Sequence, residues 1–184
     1  VRVCWNDGLL DILAGTGVFL IGLAWQFDLV ALGAVAPAIL IPFWKPLRTR
    51  ITEPRLGYVE LSRGQQRRNQ SFVVGSIVVG MVVLLAGIAG YVAVVRGARD
   101  HLGGLAPAIP ALILAVMSLS VAAITRVFRF VQYALALGVF GIAVVELEQE
   151  PGWALIAGGL VAILGGAVTL FYFVSRYPAS SEEN

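Results

Sequence analysis

Long apolar runs, separated by short polar connections, are the feature that most restricts how this chain can fold. Six runs meet or approach the length of about 20 apolar residues that a helix needs to cross a hydrocarbon core of about 30 Å. Apolar residues surround each run instead of forming one stripe, as a lipid-exposed helix requires. The sequence predicts six membrane spans, at residues 8–25, 29–44, 71–95, 105–125, 131–147 and 152–174.

The overall composition agrees with a membrane protein. Of the 184 residues, 59% are hydrophobic and 13% are charged, with a mean hydropathy of +0.87, whereas a typical soluble domain has about 25% charged residues. Helices are the default in lipid because they satisfy their own backbone polar groups, while barrel strands would alternate with a period of two over about 10 residues. We expect an all-α, polytopic transmembrane bundle, with residues 1–184 forming one membrane domain.

The connections and a short repeat predict how the spans are arranged. Only Gln26, Phe27 and Asp28 separate the first two spans, which therefore form a tight helical hairpin. The second and fourth spans both open on the sequence A-P-A-I, at 36–39 and 106–109. Proline is tolerated at a helix start because its missing N–H has no helical partner there. We expect three helical hairpins in tandem.

The connection at 45–70 determines the predicted orientation. It carries seven of the thirteen Lys and Arg residues of the chain, and short basic loops tend to remain in the cytoplasm. With this loop inside, every basic residue except Arg96 and Arg99 lies on the cytoplasmic side. Both termini, including the tail at 175–184, are therefore predicted to be cytoplasmic.

Three carboxylates at or near span ends are candidate ion or proton ligands. Asp7 and Asp11 are four residues apart and would share one face of a helix, and carboxylates inside a membrane often bind protons or cations. Alternatively, the two aspartates cap the helix N-terminus, where the dipole favours negative charge, and pair with loop arginines. Glu146 is the third candidate, and its alternative is an acidic rim with Glu148 and Glu150.

Motifs for catalysis and metal binding are missing from the sequence. Cys4 is the single cysteine and His101 the single histidine, and neither belongs to a cluster with metal-ligand spacing. A P-loop, an H-E-x-x-H zinc helix and a G-x-S-x-G elbow are also absent. We expect a protein that is not an enzyme and uses no cofactor or metal.

Small residues recur at a spacing of four in the last predicted span. Gly158, Ala162 and Gly166 form a ridge along which another helix can approach closely. We expect this ridge to mediate packing within the chain, and a contact in a homo-oligomer is the alternative.

Two stretches of the sequence resemble a group of uncharacterised bacterial integral membrane proteins. The first is D-G-L-L-D-I at 7–12, before the first span, and the second is P-R-L-G-Y-V at 54–59, in the basic loop after the short hairpin. The resemblance covers roughly the first third of the chain. It implies a bacterial inner-membrane protein and carries no activity with it.

The basic loop also supplies candidate contacts for lipid or for a partner protein. Basic residues next to a membrane gain about 1 kcal/mol each near anionic headgroups. Nucleic-acid binding would require several aromatic residues beside the basic ones, and the loop has only one tyrosine, so nucleic acid is not an expected partner. The candidate contacts are Arg48, Arg50, Pro54, Arg55, Gly57 and Tyr58.

These features lead to one functional hypothesis and two alternatives. The first is a non-enzymatic inner-membrane protein that serves as an accessory or structural subunit and docks through its basic cytoplasmic loop. The second is a small proton- or cation-coupled transporter or channel that uses the carboxylates. A membrane enzyme acting on lipid headgroups is the third.

Overall fold

The protein is helical throughout the residues that its computed structural model describes, which are 7–56, 103–125 and 127–177. No strand occurs within these ranges, and the predicted all-α fold class is confirmed. The described helices are α1 (Leu9–Gln26), α2 (Val30–Ile51), α3 (Glu53–Leu56), a 3-10 helix (Gly103–Ala108), α4 (Ile109–Thr125), α5 (Arg129–Glu146) and α6 (Pro151–Arg176).

Four of the described helices are long and apolar enough to cross a membrane. They are Leu9–Gln26, Gly104–Ala123, Arg129–Glu146 and Pro151–Arg176, and they correspond to the first, fourth, fifth and sixth predicted spans. Helix α2, which covers the second predicted span, is not among these four. The third predicted span, 71–95, lies outside the described residues. A membrane protein is therefore supported, while six spans arranged as three hairpins stays a prediction.

Helix α2 differs from the span predicted at 29–44, because it continues for seven residues beyond Trp44, to Ile51. The basic loop predicted from residue 45 therefore begins as helix, and α3 follows directly after Thr52. Leucine and arginine are good helix formers, and cations in the last turn interact favourably with the negative end of the helix dipole. Helical structure thus continues after the apolar sequence has ended.

The described residues divide into two units. In the first, α1 and α2 pack side by side, joined by a turn in which the exposed Asp28 adopts a left-handed backbone with φ 55°. The part of α6 from residue 156 onward also belongs to this unit. The turn confines a charged residue to the end of the hairpin.

The second unit contains the 3-10 helix, α4, α5 and the first residues of α6, up to Leu155. Helices α4 and α5 pack on each other, and the Ser118 hydroxyl donates a hydrogen bond to the Phe130 carbonyl at 2.7 Å. The Phe130 and Tyr133 rings meet edge to face, with centroids 6.0 Å apart. Aromatic and small apolar side chains therefore form the core of this unit.

Large apolar side chains point away from the protein on each long helix. Exposed fractions reach 71% for Ile41, 63% for Val139 and 71% for Phe171. Contiguous exposed apolar surface is rare on soluble monomers, whereas lipid tails are a suitable environment for it. Many large apolar side chains therefore lie on the outer surface of the described helices, as expected for helices surrounded by lipid.

Candidate functional site at the start of α1

Asp7 is a buried carboxylate just before α1. Its side chain is 0% exposed, and both carboxylate oxygens accept hydrogen bonds. The Leu9 backbone N–H donates to Oδ1 at 3.2 Å, and the Thr52 hydroxyl donates to Oδ2 at 2.9 Å. The first bond satisfies an N–H that has no acceptor within the helix, and the second fixes the start of α1 to the residue that follows α2.

Asp11 lies in the first turn of α1 and is also buried, at 1% exposed. A carboxylate in this position benefits from the positive end of the helix dipole. The structure therefore places both predicted aspartates inside the protein at the same end of α1. Their carboxyl groups are sheltered from solvent, as the ion-ligand hypothesis and the structural alternative both require.

Gly8, between these aspartates in the sequence, lies against the C-terminal half of α6. It has a left-handed backbone, with φ 77°. A Cβ atom at Gly8 would collide with the carbonyl of Gly166 and approach the Leu170 backbone nitrogen to 2.8 Å. Backbone conformation and space both require glycine here. The start of α1, the end of α2 and the C-terminal half of α6 thus meet at one end of this unit.

The predicted basic contacts surround the end of α2 at this same site. Lys45 and Arg50 are exposed, while Arg48 and Arg55 are half-buried. Arg55 Nη1 donates to the Ile51 carbonyl at 2.5 Å, which satisfies a carbonyl at the end of the helix. Among the described residues, the partners of Asp7 are a threonine hydroxyl and a backbone N–H, and pairing of the aspartates with loop arginines stays a prediction.

Pro54 and Glu146 are the other predicted contact and ion residues that the structure describes. Pro54 is exposed in α3, and Gly57 and Tyr58 lie outside the described residues. Glu146 is the last residue of α5 and is exposed. It belongs to the second unit, whereas both aspartates belong to the first.

Small residues form the contact between α1 and α6. A Cβ at Gly15 would lie 2.9 Å from the Ala162 Cβ, and a Cβ at Gly166 would lie 2.8 Å from the Ile12 backbone nitrogen. Ala162 and Gly166 therefore pack within the chain, against α1. The predicted Gly158 is buried. Its neighbour Gly159 is the residue in close contact with α1, because a Cβ at Gly159 would lie 2.6 Å from the Phe19 backbone nitrogen.

Thr52 is the functional residue that sequence reasoning missed. It is 2% exposed and lies within the stretch predicted as a solvated basic loop. Its only signal in the sequence is a hydroxyl residue directly before Glu53-Pro54, which resembles a helix start. That pattern does not reveal the hydrogen bond to Asp7, because the two residues are 45 positions apart.

The described ranges contain no group of three or more His, Cys, Asp or Glu side chains suited to holding a metal ion. The chain matches no protein-family model, no curated protein and no solved structure at a significant level. The class of protein is therefore defined by its own helices: it is a helical protein in which four of the described helices are long and apolar enough to cross a membrane.

Proposed function

We propose that the chain is a non-enzymatic, multi-pass protein of the bacterial inner membrane that serves as an accessory or structural subunit. The observation that carries the proposal is the hydrogen bonding of Asp7, whose Oδ1 accepts from the Leu9 N–H of α1 and whose Oδ2 accepts from the Thr52 hydroxyl. A carboxylate with both oxygens engaged in this way stabilises the fold. Lys45 and Arg50, which are exposed toward the end of α2, offer positive charge to a partner.

The test is whether a partner protein binds in a way that depends on this end of α2. The tagged chain is purified from its membrane in native lipid particles, and the co-purifying proteins are quantified by mass spectrometry. Arg50→Glu is expected to reduce one specific partner at least about tenfold, because a like-charge contact costs several kcal/mol at an interface. Arg176→Glu is the matched control, because Arg176 is an exposed cation in the last turn of α6.

Two results would contradict the accessory role. One is a chain that purifies alone across several mild detergents and native particles. The other is a partner that both glutamate variants reduce equally, which would indicate a general effect of charge. A homo-oligomer is distinguished by mixing two differently tagged copies and measuring their co-purification.

The proposed orientation places both termini and the basic residues in the cytoplasm. Two observations support this orientation. The start of α1, the end of α2 and the C-terminal half of α6 meet at one end of a unit, and basic residues, which favour the cytoplasmic side, lie near that end. A Ser62→Cys probe in a Cys4→Ser background tests it with a membrane-impermeant maleimide. Labelling in intact cells would show the opposite orientation. Labelling only after the membrane is opened would support the proposed one.

A proton- or cation-coupled transporter is the second candidate, favoured by the burial of Asp7 and Asp11, at 0% and 1% exposed. Ionisable residues at membrane spans are expensive and commonly functional. The assay is ion flux into proteoliposomes. Under this candidate, Asp11→Asn abolishes flux while Asp28→Asn, in the exposed turn, leaves it intact. Absence of flux in the unmodified protein across a broad panel of ions would exclude the candidate.

A further inference from the structure

The last two turns of α2 lie at the depth of lipid headgroups if its exposed apolar residues face the hydrocarbon core. Ile41 and Phe43 are 71% and 53% exposed, and they are the last large apolar residues with such exposure in this helix. Lys45 and Arg48 follow Phe43 by about 3 Å and about 7.5 Å along the axis, at about 1.5 Å per residue. The headgroup layer is about 5–7 Å thick on each side of the core, so both cations lie within or next to it.

Lys45 and Arg48 are also neighbours on one face of α2. Residues three apart on a helix have Cβ atoms about 5–6 Å from each other, and two like charges in this arrangement repel. Within the described part of the chain, Asp7 does not form an ion pair with Arg48, because the Asp7 oxygens accept hydrogen bonds from Leu9 and Thr52. Asp7 therefore does not relieve the repulsion. An anion between the two side chains would relieve it.

We propose that Lys45 and Arg48 bind the phosphate of an anionic phospholipid. Lysine supplies a compact charge and arginine a planar donor set that matches phosphate oxygens. The exposed side chain of Lys45 and the half-buried side chain of Arg48 are open to a headgroup in the surrounding bilayer. Arg50 is two positions further on, about 200° around the helix from Arg48, and lies outside the pair.

The inference shares one assumption with the proposed function, which is that this end of α2 lies at a membrane surface. It needs no partner protein, so the purified chain in vesicles tests it separately from co-purification. A failure of lipid binding would leave the accessory role intact, and a missing partner protein would leave the lipid site intact.

Trp44, directly before Lys45, provides the probe for the experiment. Trp5, Trp25 and Trp153 are replaced by Phe, so that Trp44 is the remaining tryptophan. The protein is reconstituted in phosphatidylcholine vesicles that contain brominated phosphatidylglycerol, and quenching of Trp44 reports the lipid next to it. The reverse measurement uses brominated phosphatidylcholine mixed with unbrominated phosphatidylglycerol. The ratio of the Trp44 quenching in the two measurements gives the relative affinity for the anionic lipid.

The expected result is a preference for phosphatidylglycerol that Arg48→Gln lowers by about fivefold, which is the value of one cation near anionic lipid. Arg48→Lys keeps most of the preference, because it keeps the charge. Arg50→Gln and Arg176→Gln, each the loss of one cation at the same end of the unit, lower it less than twofold. Circular dichroism and gel filtration establish that every variant compared is folded.

Three results would overturn the proposal. The first is equal quenching by the two lipids in the unsubstituted single-tryptophan protein. The second is an equal loss of preference in Arg48→Gln, Arg50→Gln and Arg176→Gln, which would indicate a diffuse surface potential. The third is loss of the preference when inorganic phosphate is added at constant ionic strength, which would indicate a site for free phosphate.

Discussion

Replacing Gly15 by alanine is a direct test of the contact between α1 and α6. The added Cβ would lie 2.8 Å from the Ile163 backbone nitrogen and 2.9 Å from both the Ala162 Cβ and the Gly159 carbonyl oxygen. Ordinary contact begins at 3.4 Å, so the helices must separate by about 0.6 Å along the shortest approach. Two of these three neighbours are backbone atoms, which cannot rotate away as a flexible side chain can.

The size of the effect follows from two opposing contributions. Overpacking of a tight contact costs about 1–3 kcal/mol, and alanine is favoured over glycine within a helix by up to about 1 kcal/mol. We expect Gly15→Ala to lower the free energy of unfolding by about 1–2 kcal/mol. Titration with sodium dodecyl sulfate in mixed micelles, followed by circular dichroism, measures this free energy.

Gly138→Ala is the matched control, because a Cβ at Gly138 in α5 would have no heavy atom of the described residues within 4 Å beyond the adjoining backbone of its own helix. It carries the same change in helix propensity without the collision, so its free energy of unfolding should stay the same or rise by up to about 1 kcal/mol. If Gly15→Ala were as stable as Gly138→Ala, α1 and α6 would not pack through backbone contact at this position.

Two further predictions concern hydroxyl groups that join separate parts of the chain. Thr52→Val leaves an oxygen of the buried Asp7 carboxylate without its donor and should lower the free energy of unfolding by about 1–3 kcal/mol. Thr49→Val removes only an exposed bond to a local carbonyl and should change it by less than about 0.5 kcal/mol. Ser118→Ala removes the bond between α4 and α5 and should cost about 1 kcal/mol. Ser120→Ala removes a bond within one helix and should cost less. The same unfolding titration measures all four variants, and equal effects within either pair would contradict the roles assigned to Thr52 or Ser118.

The sequence predicted the helices more accurately than their ends. Apolar runs identified α1, α4, α5 and α6 because transfer of apolar side chains to lipid dominates the free energy of a span. The end of α2 was misplaced because hydropathy measures that transfer and not the backbone hydrogen bonding, which continues through Arg48 to Ile51. Helix and span are therefore different lengths in this part of the chain.

The site was only partly predictable, for a related reason. Asp7 and Asp11 stand out because carboxylates are rare next to apolar runs. Thr52 does not stand out, because its significance comes from a contact between distant residues. Similarly, the spacing of small residues in α6 predicted a packing ridge. It did not predict that Gly159 would face α1 together with Ala162 and Gly166, because the position of the partner helix determines which small residues it contacts.

The contact of Gly8 with Gly166 has a consequence for how the protein is made. It joins the first described helix to the last described helix, so it cannot form until the α6 segment has been synthesised. Until then, the face of α1 that carries Gly15 is not covered by α6. A chain that terminates before α6 lacks the helix that covers this face, and a membrane protease that recognises incompletely packed helices can therefore distinguish it from the finished protein.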